Sequence, residues 1–214
     1  MIIQRQAKVI TAGNPASDQL LLVLHGYGQL ADYFIRKFEA FANDYFIVAP
    51  EGPHRFYLKG FDGRVGASWM TKEKREWDIA DNMQYLQQVV EQYGKGKSIT
   101  LLGFSQGGAT AARFAGSTDV KIHRFISWAS AFPDDQISTF KDKLSTTALH
   151  FAVGNNDPFF TENAVDQALS FYKDLNFSCH TFEGVHDIDF KTLFDILNMP
   201  TFGTLSANTS ENNN

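Results

Sequence analysis

The chain has one cysteine, Cys179, in 214 residues. A single thiol closes no internal disulfide and builds no cysteine-based metal cluster, so a disulfide scaffold and a zinc ribbon are both excluded. No stretch approaches the ~20 apolar residues of a membrane-spanning helix. The opening MIIQRQAKVI lacks the basic start and apolar run of a secretory signal. The expectation is a cytoplasmic protein with no transmembrane segment. Basic residues are also in short supply, with 19 Lys and Arg against 24 Asp and Glu, a net charge of −5. A nucleic-acid binder needs a basic face to displace condensed counterions. The balance therefore argues against nucleic acid and favours a small neutral or apolar partner. Apolar residues are plentiful at 43%, and 20 residues are Phe. That is enough for a large core and excludes a wholly disordered chain.

Short apolar runs alternate with helical patterns. Leu20–His25, Tyr45–Pro50, Ser98–Phe104, Phe125–Ala129, Ala148–Val153 and Ser178–Phe182 read as strands, the first and third apolar enough to be buried on both faces. Between and after them, Ala31–Asn43, Trp77–Tyr93, Gly107–Ala115, Thr161–Leu175 and Asp187–Leu197 read as helices. Strands alternating with helices indicate an α/β fold, a mainly parallel twisted sheet flanked by helices. The segment before about Thr11 alternates apolar and polar residues and reads as an antiparallel edge. His54–Lys74 holds Gly60, Gly63 and Gly66 without a clear period, and reads as a long, functional loop. Residues 1–205 form one domain in this reading. Residues 206–214 (SANTSENNN) are polar and read as a disordered tail.

Gly103-Phe-Ser105-Gln-Gly107 fits G-x-S-x-G, placed after a buried strand and before a helix as that motif requires. The flanking glycines allow a sharp strand-to-helix turn. It presents the Ser105 hydroxyl at the C-terminal edge of the sheet, beside the free N–H groups of a helix start. A serine hydroxyl needs an adjacent base to act as a nucleophile. In this motif's setting the chain order is Ser, then Asp or Glu, then His. Asp157, in Gly154-Asn-Asn-Asp157, and His186, in Gly184-Val-His186, follow two later strands in that order. Of the six histidines, His123, His150 and His180 fall on strands, His54 has no partner in the sequence pattern, and His25 precedes the serine. Asp134 and Asp135, after the strand Phe125–Ala129, are rival acids, while Asp187 and Asp189 suit a helix start.

His25-Gly-Tyr27-Gly28, after the first buried strand, offers a second anion-stabilising loop. Backbone N–H groups of Tyr27 and Gln106 would face the reacting oxygen. The same loop has another reading. Gly26-x-Gly28-x-x-Ala31 fits a dinucleotide fingerprint, with Glu51 placed as the ribose-binding acid of an oxidoreductase. That reading leaves Ser105, Asp157 and His186 unexplained. A non-catalytic hydrolase-fold binding module is a third possibility.

Taken in order, His25-Gly-Tyr-Gly28, Gly103-Phe-Ser-Gln-Gly-Gly108, Gly154-Asn-Asn-Asp157 and Gly184-Val-His186 resemble the α/β-hydrolase superfamily. Within it they are similar to the small phospholipase/carboxylesterase and acyl-protein thioesterase group. The resemblance implies Ser105 as nucleophile, His186 as base and Asp157 as its orienting acid. It implies cleavage of a small-molecule ester or thioester without metal or organic cofactor, by a monomer or homodimer. By the same resemblance Trp69 would line the acyl pocket; His25, at the end of its strand, and Phe159, just after the acid, are further candidates for the pocket lining. The chain departs from the group at Tyr27, where an aliphatic residue is commoner, and at Pro158-Phe-Phe160, which is bulkier. No inserted lid domain is present.

Overall fold

The computed structural model describes residues 4–160 and 162–201; the tail expected at 206–214 lies outside them. Seven strands form one sheet: β1 Val9–Ala12, β2 Gln19–Leu24, β3 Phe46–Pro50, β6 Ser98–Phe104, β7 Ile122–Trp128, β8 Ala148–Gly154 and β9 Ser178–Phe182. Their order across the sheet is β1-β3-β2-β6-β7-β8-β9. Every pairing is parallel except β1 with β3, the antiparallel edge expected from the first residues.

Strand β2 shows why the sheet lies in the middle. Leu20, Leu22 and Leu24 enter one apolar cluster, Leu21 and Val23 the other. A strand covered on both faces has no use for polar alternation. Helices α2 Arg75–Tyr93, α3 Gln106–Ser117, α4 Ile137–Lys143 and α5 Glu162–Asp174 contribute to the first cluster. Helices α1 Ala31–Phe34 and α6 Phe190–Leu197 contribute to the second.

Two expectations are corrected. The single helix read over Ala31–Asn43 is one α-turn, α1, followed by a 3₁₀ helix, Ile35–Phe41. Ile35, Phe38 and Phe41 are the buried residues of the latter. Their spacing of three stacks on one face of a 3₁₀ helix. The loop read over His54–Lys74 contains a hairpin, β4 His54–Lys59 and β5 Asp62–Ser68, separate from the main sheet. Apart from the buried end of β5, Gly66 to Ser68, the hairpin is largely exposed, so its apolar and polar positions do not segregate into the alternation that marks a half-buried strand.

The strand order reverses between β2 and β6. β2 connects leftward to β3, whereas the strands from β6 onward extend to the right. Leu24 pairs with Gly103, so the loops leaving β2 and β6 emerge side by side. In open α/β sheets such a switch point leaves a crevice at the carboxyl ends of the strands, where ligands bind.

Candidate active site

Ser105 stands between β6 and α3 with φ 53° and ψ −120°. Positive φ at a non-glycine residue is strained, and it persists only where the surroundings over-determine it. The neighbouring glycines show how. A Cβ on Gly103 would meet Gly107 O at 2.4 Å, and one on Gly107 would meet Leu24 O at 2.4 Å and His25 O at 2.6 Å. Without side chains there, α3 packs against β6 and against the end of β2. The Ser105 N–H donates to Trp128 O at 2.9 Å, tying the turn to β7.

β8 and β9 lie next to each other, and the loops that follow them are laced together. Asn155 N–H donates to Phe182 O and Asn156 N–H to Gly184 O, both at 2.9 Å. This brings Asp157 to His186, with Nδ1 2.6 Å from Asp157 Oδ2. The other carboxylate oxygen accepts the Phe159 N–H at 2.9 Å. The Asp157 side chain has no exposed surface and that of His186 is 16% exposed. The imidazole sits between two rings, Phe104 at 4.8 Å and Phe159 at 4.5 Å between centroids.

Ser105, Gln106, His186 and Phe159 line one cavity of about 580 Å³. Most of the rest of its lining comes from the segment after β7 and from α5 and is largely apolar, with Ala131, Phe132, Ala168 and Phe171 beside the polar Ser130, Asp134 and Gln167. Among the described residues no hydrogen bond joins the Ser105 hydroxyl to His186; such contacts often close only with substrate bound. Nor, among the described residues, does any hydrogen bond engage the Tyr27 or Gln106 backbone N–H.

Two residues expected near the pocket lie elsewhere. His25 and Trp69 are fully buried and are absent from the cavity wall. His25 is turned under its loop, 5.2 Å from the Trp69 ring. Its Nδ1 is 2.7 Å from Gly26 O and its Nε2 accepts the Gly52 N–H at 2.9 Å. Nδ1 therefore carries the proton. Burial holds the pKa of His25 below its ordinary value. Trp69 donates its indole N–H to His25 O at 2.8 Å.

The rival assignments resolve in the same way. Glu51 is buried, with Oε2 accepting the Ala31 N–H at the start of α1 (3.1 Å) and Oε1 taking Arg55 Nε (2.7 Å). It caps a helix and is closed to a ribose. Asp135 holds the buried Arg113 through both carboxylate oxygens, at 2.9 and 2.7 Å, and this pairing lowers its pKa. Asp134 lines the cavity, but His186 Nδ1 is already engaged by Asp157. Asp189 caps α6, accepting the Thr192 N–H at 2.8 Å. His54, left without a partner by the sequence pattern, is 3.1 Å from Asp78. Among the described residues no group of three or more His, Cys, Asp or Glu is placed to hold a metal ion, and no helix is long and apolar enough to cross a membrane.

A strained serine turn at the carboxyl edge of a parallel sheet, with an Asp–His pair from two later loops, is the architecture of an α/β hydrolase. The chain belongs to the phospholipase/carboxylesterase family, whose family model matches residues 5–199. It is a carboxylic ester hydrolase. No curated protein matches the chain by sequence. Among solved structures, esterase PE8 superposes with a TM-score of 0.69 at 20% identity, covering 95% of this chain and 99% of that one. Acyl-protein thioesterase 2 of Zea mays gives 0.70 at 14% identity, covering 94% and 98%. A phospholipase/carboxylesterase of Dyadobacter fermentans gives 0.63 at 19% identity, covering 92% and 98%. At these identities the likeness is one of fold.

Proposed function

We propose that the chain hydrolyses carboxylic esters or thioesters through Ser105, His186 and Asp157 and an acyl-enzyme intermediate. The observation that carries this reading is the 2.6 Å contact of His186 Nδ1 with the buried Asp157, on an imidazole that shares its cavity with Ser105. Ser105 Oγ attacks the carbonyl carbon while His186 Nε2 takes its proton. Asp157 keeps Nδ1 protonated and stabilises the imidazolium that forms. The tetrahedral oxyanion is held by the Tyr27 and Gln106 N–H groups. His186 then protonates the departing alcohol or thiol. Water, deprotonated by His186, attacks the acyl carbon and releases the acid and Ser105. The largely apolar lining of the cavity suits an uncharged organic group.

The test is hydrolysis of p-nitrophenyl esters from acetate to octanoate by the wild type and Ser105→Ala, with fluorophosphonate labelling of both. Turnover and labelling that vanish in the variant support the reading, and the best chain length sizes the pocket. A folded wild type that neither turns over nor labels overturns it.

A further inference from the structure

The two N–H groups proposed to hold the oxyanion come from different elements, Tyr27 from the loop after β2 and Gln106 from the start of α3. Something must set the distance between them, and residues 67–70, at the end of the hairpin, touch both. On one side, Gly28 N–H donates to Ala67 O at 2.8 Å and Ala67 N–H to Gln29 O at 3.2 Å. The Trp69 indole N–H donates to His25 O. On the other side the same segment grips the Gln106 side chain. Gln106 Oε1 accepts the Trp69 N–H at 2.9 Å, and Nε2 donates to Met70 O at 2.9 Å. Ser68 Oγ lies 3.1 Å from both amide atoms. The orientation of the amide is settled by its neighbours, since a flip would set NH₂ against the Trp69 N–H and oxygen against Met70 O. The segment is itself anchored from behind, where Asn82 of α2 donates to Trp69 O at 2.6 Å.

We infer that the Gln106 side chain is a positioning residue. By clamping residues 68–70 it fixes the spacing of the Tyr27 and Gln106 backbone donors across the oxyanion hole. The inference rests on the proposed mechanism, and it assigns the side chain of Gln106 a task separate from that of its backbone N–H. A primary amide can accept from one backbone N–H through its oxygen and donate to a backbone carbonyl through its nitrogen at once, much as a neighbouring strand would. Methionine matches its length and makes neither bond.

The decisive readout compares p-nitrophenyl butyrate with its thiono analogue, in which sulfur replaces the carbonyl oxygen. Sulfur accepts hydrogen bonds weakly, so the oxo-to-thiono rate ratio reports the quality of the oxyanion hole itself. Gln106→Met is expected to keep KM within about threefold while kcat on the oxo ester falls on the order of 10–100-fold; loss of a complete donor costs ~10²–10³. The oxo-to-thiono ratio should fall with it. An unchanged ratio in a folded variant overturns the inference, as does a raised KM with kcat intact, which would make the side chain part of the cavity wall only. Should Gln106→Met fail to fold, Ser68→Ala removes one of the three gripping residues. It is expected to lower the same ratio by a smaller factor, and an unchanged ratio there overturns the inference too. Activity surviving in Ser105→Ala would instead strike the proposed mechanism, so the two failures are told apart.

Discussion

Asp157 has two carboxylate oxygens, and each has a donor: the Phe159 N–H on Oδ1 and His186 Nδ1 on Oδ2. That arrangement makes Asp157→Asn a sharp test. The asparagine oxygen has to accept the Phe159 N–H, which leaves NH₂ facing the imidazole. Nδ1 then becomes the acceptor and the proton moves to Nε2, where it can no longer accept one from Ser105. We expect a near-native melting temperature and a kcat lowered by about 10⁴, the loss typical of a wrong histidine tautomer. Near-normal turnover would point to another acid. Ser105→Ala and His186→Ala should each reduce kcat nearly to background. The double variant should be no worse than either, because groups acting as a unit do not add; additive losses in the kinetic comparison would contradict the assignment. The proposed triad could be read from the sequence because a motif and a chain order mark its three residues, and the structure places two of them, Asp157 and His186, in contact. His25 and Trp69 were misplaced because a motif gives a position along the chain but not the direction of the side chain. The grip of Gln106 on residues 68–70 was out of reach for a different reason: its partners lie 36 to 38 positions away in the chain, with no local pattern to join them.

At the scale of elements, the contact between α3 and the ends of β2 and β6 sets where Ser105 stands. Gly107 lies at that contact with backbone oxygens on the side a Cβ would occupy, at 2.4 and 2.6 Å. Backbone cannot rotate aside as a flexible side chain can. Gly107→Ala should therefore push α3 away from β2. Overpacking of this kind costs about 1–3 kcal/mol, or roughly 2–4 °C of melting temperature per kcal/mol in a chain of this length. Activity should fall further than stability, because the same displacement separates Ser105 from the loop after β2. Gly60 provides the contrast. It has φ +66° at the hairpin tip and open space around it, so Gly60→Ala should cost only backbone strain of ~1 kcal/mol and leave kcat alone. Parallel losses in the two variants, read from kcat and thermal melts, would show that the α3 contact has no special bearing on the site. The strands of the main sheet were readable as apolar runs because most are buried on both faces. The hairpin was not, because apart from the buried end of β5 it is largely exposed, and the 3₁₀ helix passed for an α-helix because Phe34, Phe38 and Phe41 also fit an α-helical face.

At the scale of the whole molecule, the titratable groups displaced by folding point to instability in acid. Burial lowers the pKa of His25, His123, His150 and His180, and that of His150 falls from 6.5 to about 3. His150 is 4% exposed and its Nε2 has no hydrogen-bond partner among the described residues. A nearby Arg124 and His180 add to the cost of charging it. An unfolded chain takes up a proton on each of these imidazoles near pH 6.5, whereas the folded chain resists. Between about pH 6.5 and 3 the unfolded state therefore binds more protons, and stability falls as the pH is lowered. Each fully displaced imidazole contributes a slope of about 1.4 kcal/mol per pH unit. Asp135, lowered by its pairing with Arg113, acts in the same direction in a lower window. Its contribution is present above the ordinary aspartate pKa and is lost below it. The loop after β2 feels the same titration, since the Gly52 N–H bond to His25 needs a bare Nε2. Urea midpoints should thus drop steadily from pH 7 to pH 4, before most carboxylates titrate, and His150→Gln should flatten that dependence measurably. A midpoint level across the range, or a slope unchanged in the variant, would mean that His150 takes up its proton in the folded chain as readily as in water.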